Sequence, residues 1–180
     1  TGIGGGVVAG GRLLRGANGF AGEFGHMVVA PYGPACPCGR RGCWERFASG
    51  GALGDQARSA IAAGSGERIL ALAGGDLAAV RGEHVRAAAL EGDPTAVDVM
   101  DAFSRWVALG LVNLANLLDP ARFVLGGGLA ASGELFLERI EAWFSELLYA
   151  PELRAQPEIV LAALGEEAGA IGAALLAEHR

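Results

Sequence analysis

Cys36, Cys38 and Cys43 fall within eight positions, and His26 stands ten residues ahead of the first of them. Glu45 follows directly behind, in the run CPCGRRGCWE. Thiolates and a neutral imidazole are the ligands zinc takes, and a Cys₃His set fills a tetrahedron. Four protein ligands close the site, so the metal expected here is structural and would not activate water. A disulfide framework fits poorly: three is odd, Cys36 and Cys38 are almost adjacent, and nothing in the sequence suggests secretion. The other reading is three reduced thiols simply buried in a loop. Their crowding into a stretch rich in glycine and proline favours the metal.

Two glycine runs offer a second kind of chemistry. GIGGG (2–6) does not satisfy G-x-G-x-x-G, and Gly126, Gly127 and Gly128 sit between an expected strand and an expected helix. Either could be only a tight turn. Together they raise the case for a phosphate or nucleotide, because successive backbone N–H groups form anion-binding nests. All 14 basic residues are arginine. With no lysine, neither a P-loop GxxxxGK[ST] nor a lysine Schiff base can exist in this chain.

The elements that must position these residues read as one α/β domain over 1–180. GIGGGVVAGGRLLR (2–15) predicts a β-hairpin, Val7 and Val8 leading through Ala9-Gly10-Gly11 to residues 12–15. HMVVA (26–30) predicts a third strand, and 31–43 a long irregular loop, so that 26–45 forms a metal-stapled segment. Helices are expected over 49–63, 82–91 and 94–118, the last opened by Pro94 and stopped at Asp119-Pro120. The stretch around Gly64-Ser65-Gly66 and Gly74-Gly75 reads as punctuation. RFVLGGG predicts a buried strand; Leu135, Phe136, Ile140, Trp143, Phe144, Leu147 and Leu148 mark one helix face. EIVLAAL predicts another strand, and a final helix begins near Glu166. Three early strands followed by alternating helices and strands imply a mixed sheet flanked by helices.

Composition narrows the function. The 180 residues are 52% hydrophobic and 19% charged, with a net charge of −6. That excludes disorder and argues against non-specific binding to nucleic acid or acidic membranes. No export signal is evident, and WVALGLVNLANLL (106–118) is too short to span a bilayer. The abrupt TGIGGG start suggests a piece of a longer protein. His84 and His179 are expected at the surface, Trp106, Trp143 and Phe144 in the core. Asp93 reads as a helix start, with Asp98 and Asp101 beside it, and none of the three as a metal ligand.

The run from TGIGGG through GEFGH to C-x-C-G-x-x-G-C-W-E resembles the signature region of the ROK family (repressor, open reading frame, kinase), on the side of its bacterial, actinobacterial-type glucokinases. AALEGDPTA, NLLDP and FVLGGGLAASGELF extend the likeness over the chain, but only to the family's C-terminal lobe. The resemblance implies an actin-like ATPase, ribonuclease-H-like fold with two lobes around a cleft. It also implies ATP as phosphoryl donor, Mg²⁺, a cytoplasmic setting and a homodimer or homotetramer. By motif, Thr1, Gly2, Ile3, Gly4, Gly5, Gly6, Val7 and Val8 would form a phosphate-binding hairpin. Gly126 to Gly128 would lie along the adenosine, and His26, Cys36, Cys38 and Cys43 would hold zinc. Glu23, His26 and Glu45 would contact the hydroxyls of a hexose, glucose first. The general base would lie in the other lobe, outside this chain, which alone would be inactive. Related readings are a kinase for fructose or an N-acetylhexosamine, and the sugar-sensing domain of a ROK repressor.

Overall fold

The 25-residue helix over Pro94–Leu118 is the post around which the molecule is built. Its start is fixed by Asp93, whose side chain accepts from the Ala96 N–H at 2.8 Å, and by Pro94 in the first turn. It ends where Asp119 turns left-handed at φ 44° ahead of Pro120. Between those ends Val99, Met100, Phe103, Val107, Leu111 and Leu114 recur at helical spacing and are buried.

The computed structural model describes residues 2–128 and 133–178. In chain order the helices are α1 (Glu45–Ala48), α2 (Gly50–Ala62), α3 (Glu67–Leu72), α4 (Gly82–Leu90) and the post, α5. They are followed by α6 (Gly133–Leu147) and α7 (Ala168–Glu178). Ser49 caps α2 by accepting from the Ala52 N–H. α3 follows Gly66, a left-handed residue at φ 81°, so the stretch expected as punctuation contains a short helix. On α6 the expected face is in place: Phe136, Ile140, Phe144 and Leu148 are buried, with Leu135, Trp143 and Leu147 packed against the same core. Trp143 also donates to Asp101 on α5 at 3.0 Å, and Trp106 is half-buried.

Among the described residues the strands do not form one mixed sheet. β1 (Val8–Ala9) and β2 (Arg12–Leu13) make a small antiparallel hairpin, exposed on both faces. β3 (Arg122–Leu125) pairs in parallel with β4 (Glu158–Leu161), Arg122 opposite Glu158 and joined to it by an ion pair. The expected third strand, 26–30, is absent for a local reason. Phe24–His26 is a 3₁₀ turn, and the N–H groups of Val29 and Ala30 both donate to the carbonyl of Gly42. Two donors on one acceptor break the alternation a ladder needs, so only a single Val28–Cys43 bridge survives. Among the described residues no helix is long and apolar enough to cross a membrane.

Candidate functional site

The loop between Ala30 and Trp44 is folded by its own backbone. Ala35 bridges Arg41, the Cys36 N–H donates to the Arg40 carbonyl, and the Gly42 N–H to that of Pro34. Gly42 sits at φ 71°, where a Cβ would lie 1.6 Å from the Ala30 carbonyl oxygen, so no other residue fits. The fold returns Cys43, fully buried, beneath Cys36 and Cys38.

All three cysteines are free, and with His26 their ligand atoms lie within 4.8 Å of one another. The sulfurs of Cys38 and Cys43 are 3.6 Å apart, and Cys36 Sγ is 3.8 Å from His26 Nδ1. A tetrahedron with zinc's usual bonds, about 2.3 Å to sulfur and about 2.0 Å to nitrogen, has S–S edges of about 3.8 Å and S–N edges of about 3.5 Å. The donor set and its spacing therefore fit the metal. The thiols differ in acidity. The Arg40 backbone N–H, with the neighbouring thiols, holds Cys38 below the ordinary thiol value, while burial and then Cys38 push Cys43 up. The Cys38 backbone N–H lowers Cys36, but burial, the bond to Glu45 and the other two thiols outweigh it and push it up to about 12.

The sugar-site candidates gather at the same place. Glu45 opens α1, mostly shielded, and its Oε1 accepts from the Cys36 thiol at 3.1 Å. His26 stands between two carboxylates, with Nδ1 3.8 Å from Glu45 Oε1 and Nε2 3.9 Å from Glu23 Oε2. Glu23 is the more open of the two acids. Among the described residues neither carboxylate is paired with an arginine, so both keep lone pairs for outside donors.

The first glycine run lies against this cluster, which sequence reasoning did not foresee. A Cβ on Gly2 would come 2.6 Å from Glu45 Oε2, one on Gly5 would strike the Phe24 ring at 2.3 Å, and one on Gly25 would reach the Ile3 carbonyl at 2.2 Å. Residues 2–6 thus run side by side with 22–25 because glycine stands at the points of closest approach, Gly5 against Gly22 and Gly25 against Ile3, and Ile3 packs on the core. Gly4 and Gly6 belong to this run, with Val7 accepting from the Leu14 N–H and Val8 beginning β1. Thr1 and His179 lie outside the described residues. Gly126, Gly127 and Gly128 are elsewhere, exposed at the C-terminal end of β3, with Gly127 left-handed at φ 74°. His84 accepts from the Arg81 N–H at the start of α4, and Asp98 and Asp101 take no part in the cluster.

Sequence reasoning also missed Trp44 and Gly110. A single tryptophan in a loop and a single glycine in a helix carry no periodic signal, and only the fold joins them.

Fold and site together define an α/β domain with a Cys₃His cluster set beside paired carboxylates and a glycine-lined strand. The chain belongs to the ROK family, whose model matches residues 1–180. It is 42% identical to a glucokinase of Streptomyces coelicolor over 99% of this chain and 57% of that protein. It is 32% identical to the xylose repressor of Bacillus spizizenii, over 99% of this chain and 42% of the repressor. A crystal structure of a ROK family glucokinase from Streptomyces griseus, in complex with glucose and AMPPNP, superposes with a TM-score of 0.93 at 42% identity. It is matched over 100% of this chain and 58% of that one. The chain thus spans little more than half the length of these glucokinases.

Proposed function

We propose that this chain is the C-terminal lobe of an ATP-dependent glucokinase, which transfers the γ-phosphoryl group of ATP to the 6-hydroxyl of glucose in the cytoplasm. The observation that carries the reading is the meeting of Glu23, His26 and Glu45 beside Gly2. Carboxylates accept from the donor hydroxyls of a sugar, and a pair fixes its orientation. The likeness to two glucokinases at 42% identity supports glucose as the hexose.

Cys36, Cys38, Cys43 and His26 Nδ1 would hold a structural zinc, which staples the loop and supplies rigidity only. As a thiolate, Cys36 no longer donates to Glu45, and both Glu45 oxygens are then open to sugar hydroxyls. His26 Nε2, held at a fixed angle by its other nitrogen, faces the same hydroxyls beside Glu23. Such preorganisation lowers the ordering cost of binding. The backbone of 2–8 would approach the ATP phosphates next to Glu45, with Mg²⁺ offsetting their charge, and Gly126 to Gly128 would run along the adenosine. The general base belongs to the N-terminal lobe of the full-length protein, a homo-oligomer in this reading.

The test is ADP release by the full-length protein with glucose, fructose, mannose, N-acetylglucosamine and N-acetylmannosamine in competition. A strong preference for glucose is expected, and no turnover by residues 1–180 alone. Preference for another sugar keeps the chemistry and overturns the substrate. Absence of turnover with every sugar overturns the kinase and leaves the repressor reading, which the likeness to the xylose repressor favours.

A further inference from the structure

Gly110 is out of place by propensity. It sits buried in the middle of α5, where alanine would be preferred by about 1 kcal/mol. What it accommodates is Trp44: a Cβ at 110 would lie 1.9 Å from Cε2 of that indole and 2.2 Å from Cζ2. The ring, 5% exposed, lies directly on the helix backbone. Its Nε1 donates at 2.7 Å to the carbonyl of Trp106, the acceptor that the helix pattern assigns to the N–H of residue 110. Trp106 in turn stacks on Phe47, ring centroids 4.2 Å apart and 25° from parallel. Trp44 is thus clamped through its ring and Phe47 through its face, and Glu45 lies between them in the chain.

We propose that the Trp44 indole, seated on Gly110 and tied to the Trp106 carbonyl, is the positioning residue that sets Glu45 and Cys43 for the sugar and the metal loop. This rests on the reading of Glu45 as a sugar ligand. Trp44 touches no substrate. It acts because its neighbours in sequence cannot move without it, and its backbone N–H is itself held by the Met27 carbonyl at 2.8 Å.

The experiment uses the full-length enzyme. Gly110→Ala pushes a methyl group into the indole and should raise the KM for glucose about tenfold or more while leaving that for ATP within about twofold. Trp44→Leu, which removes the indole and its N–H, should raise the glucose KM likewise, and combining it with Gly110→Ala should add little, because both act through the same contact. Val85→Ala, in a fully buried position of α4, is the control for lost stability alone and should lower Tm without moving the glucose KM. The proposal is overturned if Gly110→Ala behaves like Val85→Ala, if Trp44→Leu leaves the glucose KM unchanged, or if the effects of the two substitutions simply add. Should Gly110→Ala not fold, Trp44→Phe keeps a ring and removes the N–H; an unchanged glucose KM there is equally contrary. If the parent protein turns over no sugar, the functional reading has failed, and positioning is read from Co²⁺ loaded into the Cys₃His cluster. Its absorption bands should shift in Gly110→Ala and in Trp44→Leu but not in Val85→Ala; spectra identical to the parent's in the first two would overturn the proposal on that arm.

Discussion

α5 and α7 are both rich in apolar residues, and the molecule treats them in opposite ways. α5 carries its large side chains as a stripe, with Met100, Phe103, Val107 and Leu111 facing α2, α4 and α6, and it is the centre of the core. α7, AGAIGAALLAE, is apolar all round and has no stripe; Leu175 is 53% exposed and Leu176 40%. A core needs a face as well as apolar content, because a helix with no polar side has no preferred direction in which to pack. The site follows the same division. Its carboxylates and thiols hang from the α5 side, where Trp44 and Phe47 grip the post, and the glycine run 2–6 lies against Glu45 and Phe24.

That contrast can be broken most forcefully at its centre. Phe103→Ala, at a fully buried position that meets Phe136 edge to face, should cost about 3–5 kcal/mol, whereas Leu175→Ala on α7 should stay within about 0.5 kcal/mol. Denaturant melts of the two variants read this directly, and a large loss at Leu175 would mean that α7 is part of the core. A smaller effect is expected where α5 begins: Asp93→Ala leaves the Ala96 N–H unpaired and should lower stability by about 1 kcal/mol in the same melts. The smallest lies at the surface, where Arg68 pairs with Glu91. The Arg68 hydrogen bond and charge hold the Glu91 carboxyl below its ordinary value. A carboxyl depressed in the folded state contributes stability above the unfolded value near 4.5, and loses it as pH falls through the folded one. Arg68→Ala should therefore flatten the decline of stability below pH ~4.5, slightly, since exposed pairs contribute little. An unchanged acid slope would show that the pair does not act.

Much of the frame was readable because it is written locally. Asp93-Pro94 opening α5, Asp119-Pro120 closing it, Ser49 capping α2 and the apolar face of α6 each depend on residues close in sequence. The Cys₃His cluster was readable because thiols are scarce and their crowding has few explanations. The third strand was misread: Val28 and Val29 have the right side chains, but Gly42, thirteen residues on, takes two of the segment's N–H groups. The missing short helix α3 hides behind Gly66, a left-handed start that reads as a break. What no local pattern could give was the packing of Gly2 on Glu45 and of Trp44 on Gly110, since each needs two distant residues, one of which has no side chain to announce it.

The most direct test of the account measures metal and sugar together. The full-length protein should carry about one zinc per chain and bind glucose. Removing the metal by chelation, or through Cys38→Ser, should abolish glucose binding while AMPPNP still binds and the α5 core stays folded. Full glucose binding by the demetallated, folded protein would contradict the claim that a metal-stapled loop presents Glu45 and His26 to the sugar.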